Sequence, residues 1–370
     1  MAKKKITSQD STAQGHSRRH PHNLRDILSE FLWQQCPMIL IVVALGLMTA
    51  WIQYGYVPNG DKPFQIANVT IPIWRLVWMG MWTGYTMALV GQAAGIFALP
   101  YSTSVLRFDN PHVSPTMLVL TFINPVGALL GFRKSGQWNL DLAIAVCLGG
   151  VVGALTGPFV RATVLGNSDT FRATLGVALA LFGVQLCWKA MQDYTKHGRL
   201  VASDVFSGTE TTRFEIKTSH MSWRKITVQF GRHSRTLPNF QLFLIGAGVG
   251  VFSSALGVGG GFLLVPIFSM VYGLPLYVMV AATIPYTIVL SLVGIITFMF
   301  ILPAFGTPAI EPEWSWGFFT ATGGLIGSWL ASKTQIYFPE HLLNWFLGSV
   351  TGIVGMLYIL SFFVKLPFTL

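Results

Sequence analysis

A chain of 370 residues, 52% hydrophobic and 10% charged, lacks the polar surface of a soluble domain, in which about 25% of residues are charged. A mean hydropathy of +0.57 and several apolar runs of about 20 residues read instead as a polytopic membrane protein. The net charge of +10 gathers in the N-terminal tail and a central loop, so retention of those segments at the cytoplasmic face accounts for it and nucleic acid is not called for.

Residues 1–36 read as a basic cytoplasmic tail, with Lys3, Lys4, Lys5, Arg18, Arg19 and Arg25. His16, His20 and His22 cluster there, in a composition that favours a disordered tail over a metal site. Residues 37–73 hold an N-terminal transmembrane helix over 38–57 and a short loop. No small-residue cleavage site follows that span, which argues against a signal peptide. Repeat one covers 74–190: a broken apolar segment at 74–108, then spans at 114–132, 139–163 and 171–190. Residues 191–238 are polar and read as a cytoplasmic loop; 212–217 and 225–230 alternate apolar and polar residues, which predicts a β-hairpin. Repeat two covers 239–370, with its own broken segment at 240–272 and spans at 277–301, 314–335 and 342–364. Cys36, Cys147 and Cys187 lie in or beside apolar segments without metal spacing and read as packing residues.

The two broken segments define the repeats. Residues 84–100 align without gaps on 250–266: Gly84 on Gly250, Gly91 on Gly257, Gly95 on Gly261 and Pro100 on Pro266. Glycine costs a helix interior roughly 1 kcal/mol relative to alanine and proline roughly 3, so Gly91, Pro100, Gly257 and Pro266 are the expected helix breaks. Gly149-Gly150-x-x-Gly153 also matches Gly323-Gly324-x-x-Gly327, and Leu175-Gly176 with Gly183 matches Leu347-Gly348 with Gly355. Those clusters read as places where helices approach closely. If each broken segment dips in and returns to its starting side, Arg133, Lys134, the central loop with its eight Lys and Arg residues, and Lys333 all fall inside. The expected fold is therefore an all-α polytopic membrane protein. It has two inverted repeats, each opening with a glycine-interrupted re-entrant helix, plus an extra N-terminal transmembrane helix.

Paired broken helices point to a transporter binding site near the bilayer midplane. Asp109, Asp141, Asp169, Glu311, Glu313 and Glu340 all lie at predicted span ends or in loops, so no intramembrane carboxylate of the kind that cation sites use is visible. A half-helix that begins at a break instead presents backbone N–H groups and a positive dipole end, which favours an anion. The candidate binding set is Gln92, Gly95, Asn124, Ser253, Ser254, Gly259, Gly260, Gly261 and Thr283. Each hydroxyl or amide taken alone reads first as a helix-packing group, and the set beside the paired breaks is what reads as a site. Arg161, after Gly157-Pro158 near a helix end, reads either as a side chain snorkelling to the interface or as a substrate contact. Gly257-x-Gly259 is not a dinucleotide fingerprint, because no strand-turn-helix unit surrounds it. With no nucleophile triad, zinc set or paired carboxylates in the spans, the chain does not read as an enzyme, and it calls for no metal or cofactor.

The run Leu256-Gly257-Val258-Gly259-Gly260-Gly261-Phe262-Leu263-Leu264-Val265-Pro266, with Gly273-Leu274-Pro275 and Ala281-Ala282-Thr283, resembles the TauE/SafE family of sulfite and organosulfonate permeases. The resemblance covers about 74–365, and in the first copy Gln92-Ala93-Ala94 replaces the glycine-rich core. It implies a permease of a bacterial inner membrane for a small sulfur oxyanion held by helix ends. Three readings follow: a secondary transporter coupled to H+ or Na+, an anion channel of the same architecture, or a degenerate transporter acting as a sensor or scaffold through its central loop. A homodimer is compatible with each.

Overall fold

The computed structural model describes residues 33, 35–90, 94–134, 140–196, 216–222, 224–230, 233–274, 276–334 and 340–363. The basic tail with its three histidines, Gly91, Gln92 and residues 212–215 lie outside this set. Apart from one small sheet and the loops, the described residues are helical. Its helices are α1 (Cys36–Tyr54), α2 (Ile73–Val90), α3 (Gly95–Pro100), α4 (Val113–Lys134), α5 (Leu140–Thr163), α6 (Ser168–Lys196), α7 (Asn239–Leu256), α8 (Gly261–Tyr272), α9 (Leu276–Ile296), α10 (Trp314–Thr334) and α11 (Glu340–Phe363). Wider π-turns extend α3 over Tyr101–Val105 and α9 over Thr297–Ile301. Among the described residues, six helices are long and apolar enough to cross a membrane: α1, α5, α6 up to Trp188, α7, the stretch Ala282–Ala304 of α9 and its extension, and α11 from Trp345.

The main helix pairs join the N-terminal half to the C-terminal half. α5 packs on α7, α10 on α2, and α11 on α6. Glycines strip the side chains from these contact lines so that backbones touch. A Cβ on Gly149 would stand 2.0 Å from the carbonyl of Phe243, and one on Gly323 would stand 1.9 Å from that of Val77. A Cβ on Gly246 would stand 2.4 Å from the Val146 carbonyl, and one on Gly80 would stand 1.8 Å from that of Thr320. The α5–α7 contact therefore recurs on α10–α2 at residues that correspond in the sequence alignment. On α6–α11 the same exchange of halves carries the contact into itself. Gly176 meets the Gly355 carbonyl and Gly183 that of Gly348, each approach being returned by the partner glycine.

These contacts fix helix direction. Gly149 and Gly153 meet Phe243 and Ala247 in that order, so α5 and α7 are parallel; Gly323 and Gly327 meet Val77 and Met81, so α10 and α2 are parallel. α6 and α11 are antiparallel, since Gly176 takes the later partner. Thr121 and Ser291 share a hydroxyl hydrogen bond of 3.0 Å while Leu118 meets Gly294, so α4 and α9 are antiparallel. Gly317 meets Val119 and Gly324 meets Asn124, which sets α4 parallel to α10. Gly150 meets Tyr286 and the Phe159 and Phe305 rings lie 5.5 Å apart, which sets α9 parallel to α5. Phe171 meets Arg161 near the end of α5, and Phe182 meets Phe262 beside Gly260, which the Tyr286 ring sets level with Gly150, eleven residues earlier on α5, so α6 runs against α5. Therefore α2, α4, α6 and α10 run one way and α5, α7, α9 and α11 the other.

Both broken segments fold back as hairpins. Trp82 of α2 meets Tyr101 at a ring separation of 5.6 Å, and the Ser102 hydroxyl donates to the Met79 sulfur at 3.3 Å. The Tyr272 hydroxyl at the end of α8 donates to Gln241 at the start of α7, 3.1 Å away.

The central segment forms three strands, β1 (Ile216–Met221), β2 (Lys225–Phe230) and β3 (His233–Pro238), in one antiparallel sheet of order β1-β2-β3. The expected hairpin had two strands; the missed β3, His-Ser-Arg-Thr-Leu-Pro, is too polar to alternate visibly. Its Leu237 is nevertheless buried with Ile226 and Val228, where β2 lies by α5 and β3 by α7. Pro238 leads straight into α7, and Asn239 bonds the carbonyls of Arg224 and Ser222, both at 3.0 Å, so the sheet is fastened to the start of that helix.

At the opposite end, α1 leans on α10 with Gly46 against Phe318 and Phe319. There Phe64 and Phe108 close on the buried Trp316, at ring separations of 5.4 and 4.9 Å. Glu313, just before α10, is fully buried. Its carboxylate accepts from the Tyr54 hydroxyl, from the Ser315 hydroxyl at 2.8 Å, and from the N–H groups of Ile66 and Ala67. The extra N-terminal helix is thus tied by polar bonds to the bundle it decorates.

Candidate functional site

The break between α7 and α8 is a reversal made by glycine. Gly257 and Gly259 hold φ at +80° and +84°, in the left-handed region that other residues avoid. The N–H groups of Gly257 and Val258 both return to the Ser253 carbonyl, at 2.9 and 3.0 Å, which closes the end of α7. α8 then begins at Gly261. Three neighbours leave no room for side chains here: a Cβ on Gly257 would meet the Ser114 carbonyl of α4 at 2.2 Å, and one on Gly260 would meet the Tyr286 ring at 2.0 Å. The third contact joins the two breaks. A Cβ on Gly95, the first residue of α3, would stand 2.5 Å from the Val258 carbonyl.

The expected set divides around this meeting point. Gly95, Gly257, Gly259, Gly260 and Gly261 form the touching tips. Ser253 is fully buried one turn before Gly257, and its hydroxyl has no hydrogen-bond partner among the described residues. Asn124 is 5% exposed on α4 beside Gly324, and both atoms of its amide are likewise without a partner. Thr283 is buried on α9, one turn ahead of Tyr286. Ser254 is engaged in packing: its hydroxyl donates to the carbonyls of Gly250 at 2.7 Å and Gly153 at 3.2 Å, across the α5–α7 contact. Pro100 and Pro266 do not act as the expected breaks. Pro100 closes α3 but the chain runs on as a π-turn, and Pro266 stands inside α8. A helix continues past a proline by losing one hydrogen bond, whereas two left-handed glycines turn the chain around.

Two residues matter more than their sequence context suggested. Tyr286 is fully buried with its ring between Gly150 and Gly260, and its hydroxyl donates to the Gly246 carbonyl at 2.7 Å. It wedges α5, α7, α9 and the break together. The only sequence signal for it is an aromatic residue just after Pro285 in the middle of an apolar span. Arg161 is 2% exposed, so it does not snorkel. Its Nε donates to the Ser114 hydroxyl at 3.0 Å and its Nη1 to the Leu165 carbonyl, and its guanidinium lies 3.9 Å from the centre of the Phe171 ring. A chain of rings, Phe97–Phe182–Phe262 at 6.1 and 6.3 Å, backs the two tips on the side of α6.

A multi-pass helical protein with two broken apolar segments in contact, and a buried unpaired hydroxyl beside that contact, has the build of a membrane transporter. The chain belongs to the TauE/SafE sulfite exporter family, whose model, described as sulfite exporter TauE/SafE, matches residues 30–186 and 76–358. Two similar proteins come from Xylella fastidiosa, and both are described as probable membrane transporter proteins. That of strain 9a5c is 23% identical and that of strain Temecula1 24% identical, each over 276 residues, 74% of this chain and 89% of theirs. No solved structure matches the chain.

Proposed function

We propose that the protein is a secondary transporter of an inner membrane for a small sulfur-containing oxyanion, sulfite or an organosulfonate, bound where the two breaks touch. The contact of Gly95 with the Val258 carbonyl carries this reading, because it brings both interruptions to one place. The start of the twelve-residue α8 supplies a positive dipole end there. Buried Ser253 and Asn124 supply unpaired donors on α7 and α4. The family description supports the sulfur oxyanion class.

Alternating access comes from two halves inverted in the membrane. Helix directions support the inversion: α2, α4, α5 and α6 each run opposite to their counterparts α7, α9, α10 and α11. The reciprocal contact of antiparallel α6 and α11 supports a two-fold relation perpendicular to those helices, hence lying in the membrane plane. The tail and the sheet lie on the cytoplasmic side, and the protein performs transport and no covalent chemistry.

The test is flux in proteoliposomes with sulfite, taurine, isethionate or sulfoacetate on one side. The expected result is saturable flux that responds to a proton or sodium gradient and falls at least tenfold in Ser253→Ala and Asn124→Ala. Flux proportional to concentration and indifferent to both gradients would replace the transporter with a channel.

A further inference from the structure

The Arg161 guanidinium is enclosed by Ser114, Leu165 and Phe171, each at most 5% exposed. Both acceptors named for it are neutral, a hydroxyl and a carbonyl. Among the described residues no carboxylate lies within the 4.0 Å of an ion pair with it. The acid that acts on it electrostatically is Asp109, and Asp109 is already bridged to Arg172 at 2.9 Å. The pairing of Asp109 with Arg172 leaves the Arg161 guanidinium without a carboxylate of its own among the described residues.

Burying a charge without a counter-charge is expensive, and intramembrane arginines occur where an anion or a pathway needs them. A purely structural post here would be served by a neutral donor. The position of the charge relative to the break gives it a use. Ser114 faces both: its hydroxyl accepts from Arg161 Nε, while its carbonyl packs against Gly257, 2.2 Å from where a Cβ would stand. One residue thus separates the uncompensated guanidinium from the reversal that ends α7.

We propose that Arg161 is the anion-binding cation of this transporter. An oxyanion arriving at the α7–α8 break takes the Nε–H now given to Ser114 and pairs its charge with the guanidinium, whose fork geometry suits two oxygens of a sulfonate or sulfite. The assignment rests on the reading of the protein as an anion transporter and adds to it the residue that recognises charge.

The test uses the purified full-length protein, with binding of sulfite, isethionate, taurine, sulfate, nitrate and acetate measured by calorimetry. Arg161→Gln is expected to weaken binding by about 30-fold or more, and Arg161→Lys by about tenfold. The ligand-free unfolding temperature of Arg161→Gln should stay level or rise, because an unpaired buried charge has gone; a post role predicts a fall with affinity unchanged. Asp109→Asn, at a side chain 36% exposed, covers the case in which position 161 variants do not fold, and is expected to tighten binding about threefold. A Kd for Arg161→Gln within twofold of wild type, or an unchanged or weaker Kd for Asp109→Asn, overturns the assignment. If Arg161→Gln still binds the sulfite or sulfonate that wild type binds, the assignment falls and the transporter reading stands. If wild type binds nitrate or acetate through Arg161 but no sulfur oxyanion, the assignment stands and the substrate class falls. If wild type binds none of the six, both fall.

Discussion

Ser253 and Asn124 bury polar atoms that find no partner among the described residues. A buried hydroxyl or amide left unpaired costs about 1–3 kcal/mol, a burden a purely structural residue would have shed. Replacing Ser253 with alanine should therefore raise the unfolding free energy by roughly 1 kcal/mol while transport falls. Thermal unfolding and flux on the same preparation check the pair of signs; lower stability with unchanged flux would make Ser253 a packing residue like Ser254. Glu313 is the opposite case, a buried carboxylate with every oxygen engaged. Burial outweighs the hydrogen bonds from Tyr54, Ser315, Ala67 and Ile66 and holds its carboxyl above the ordinary range. The folded protein therefore binds this proton more tightly than the unfolded chain does. The stability from this group is full below the ordinary carboxylate pKa and is lost as pH rises through the raised folded value. In Glu313→Gln that part of the slope of unfolding temperature against pH should vanish, and equal slopes in the two proteins would sink the assignment.

Among elements, the glycines sort into two kinds that composition does not separate. Gly153 on α5 and Gly327 on α10 lie directly on partner backbones, at 2.5 Å from the Ala247 carbonyl and 1.9 Å from the Met81 carbonyl for an added Cβ. Gly248 on α7 and Gly352 on α11 have nothing within 4 Å. Valine at Gly153 or Gly327 should abolish a monodisperse folded peak in size exclusion. Alanine at Gly248 or Gly352 should keep it and raise helix stability by up to about 1 kcal/mol each. The close-packed glycines were legible in the sequence because they recur in both halves at matched spacing. The break after α7 was legible for a related reason: four glycines in five positions have few other uses in an apolar segment. What stayed hidden was set by the third dimension. Tyr286 becomes a wedge only once Gly150, Gly246 and Gly260 surround it, and no spacing in the chain announces that they do. Arg161 stands at a helix end, where the usual outcome is exposure, and its burial depends on Phe171 and Leu165 folding over it. The prolines misled because a proline removes one backbone hydrogen bond without turning the chain around, so a helix can run through it.

Across the whole molecule, the two halves share every major helix pair, so their orientation is a single property. If the halves are inverted, Ser234 on β3 and Thr307 after α9 lie on opposite sides of the membrane. Cysteines at the two positions, placed in a variant lacking Cys36, Cys147 and Cys187, should react with an impermeant maleimide from opposite faces of intact vesicles. Labelling of both from one face would reject the inversion.

The pairing of α5 with α7 and of α2 with α10 also bears on how the chain is made. When the ribosome has delivered α2 through α6, the glycine-lined sides of α2 and α5 have met neither of their partners, which lie about one protein half further along. Those helices must wait in the bilayer as independent insertions before they can lock together. Assembly is thus a late event that the second half triggers, and neither half is a folding unit on its own. Produced separately and cut within 197–215, the two halves should each be degraded; produced together, they should recover a folded complex that survives purification.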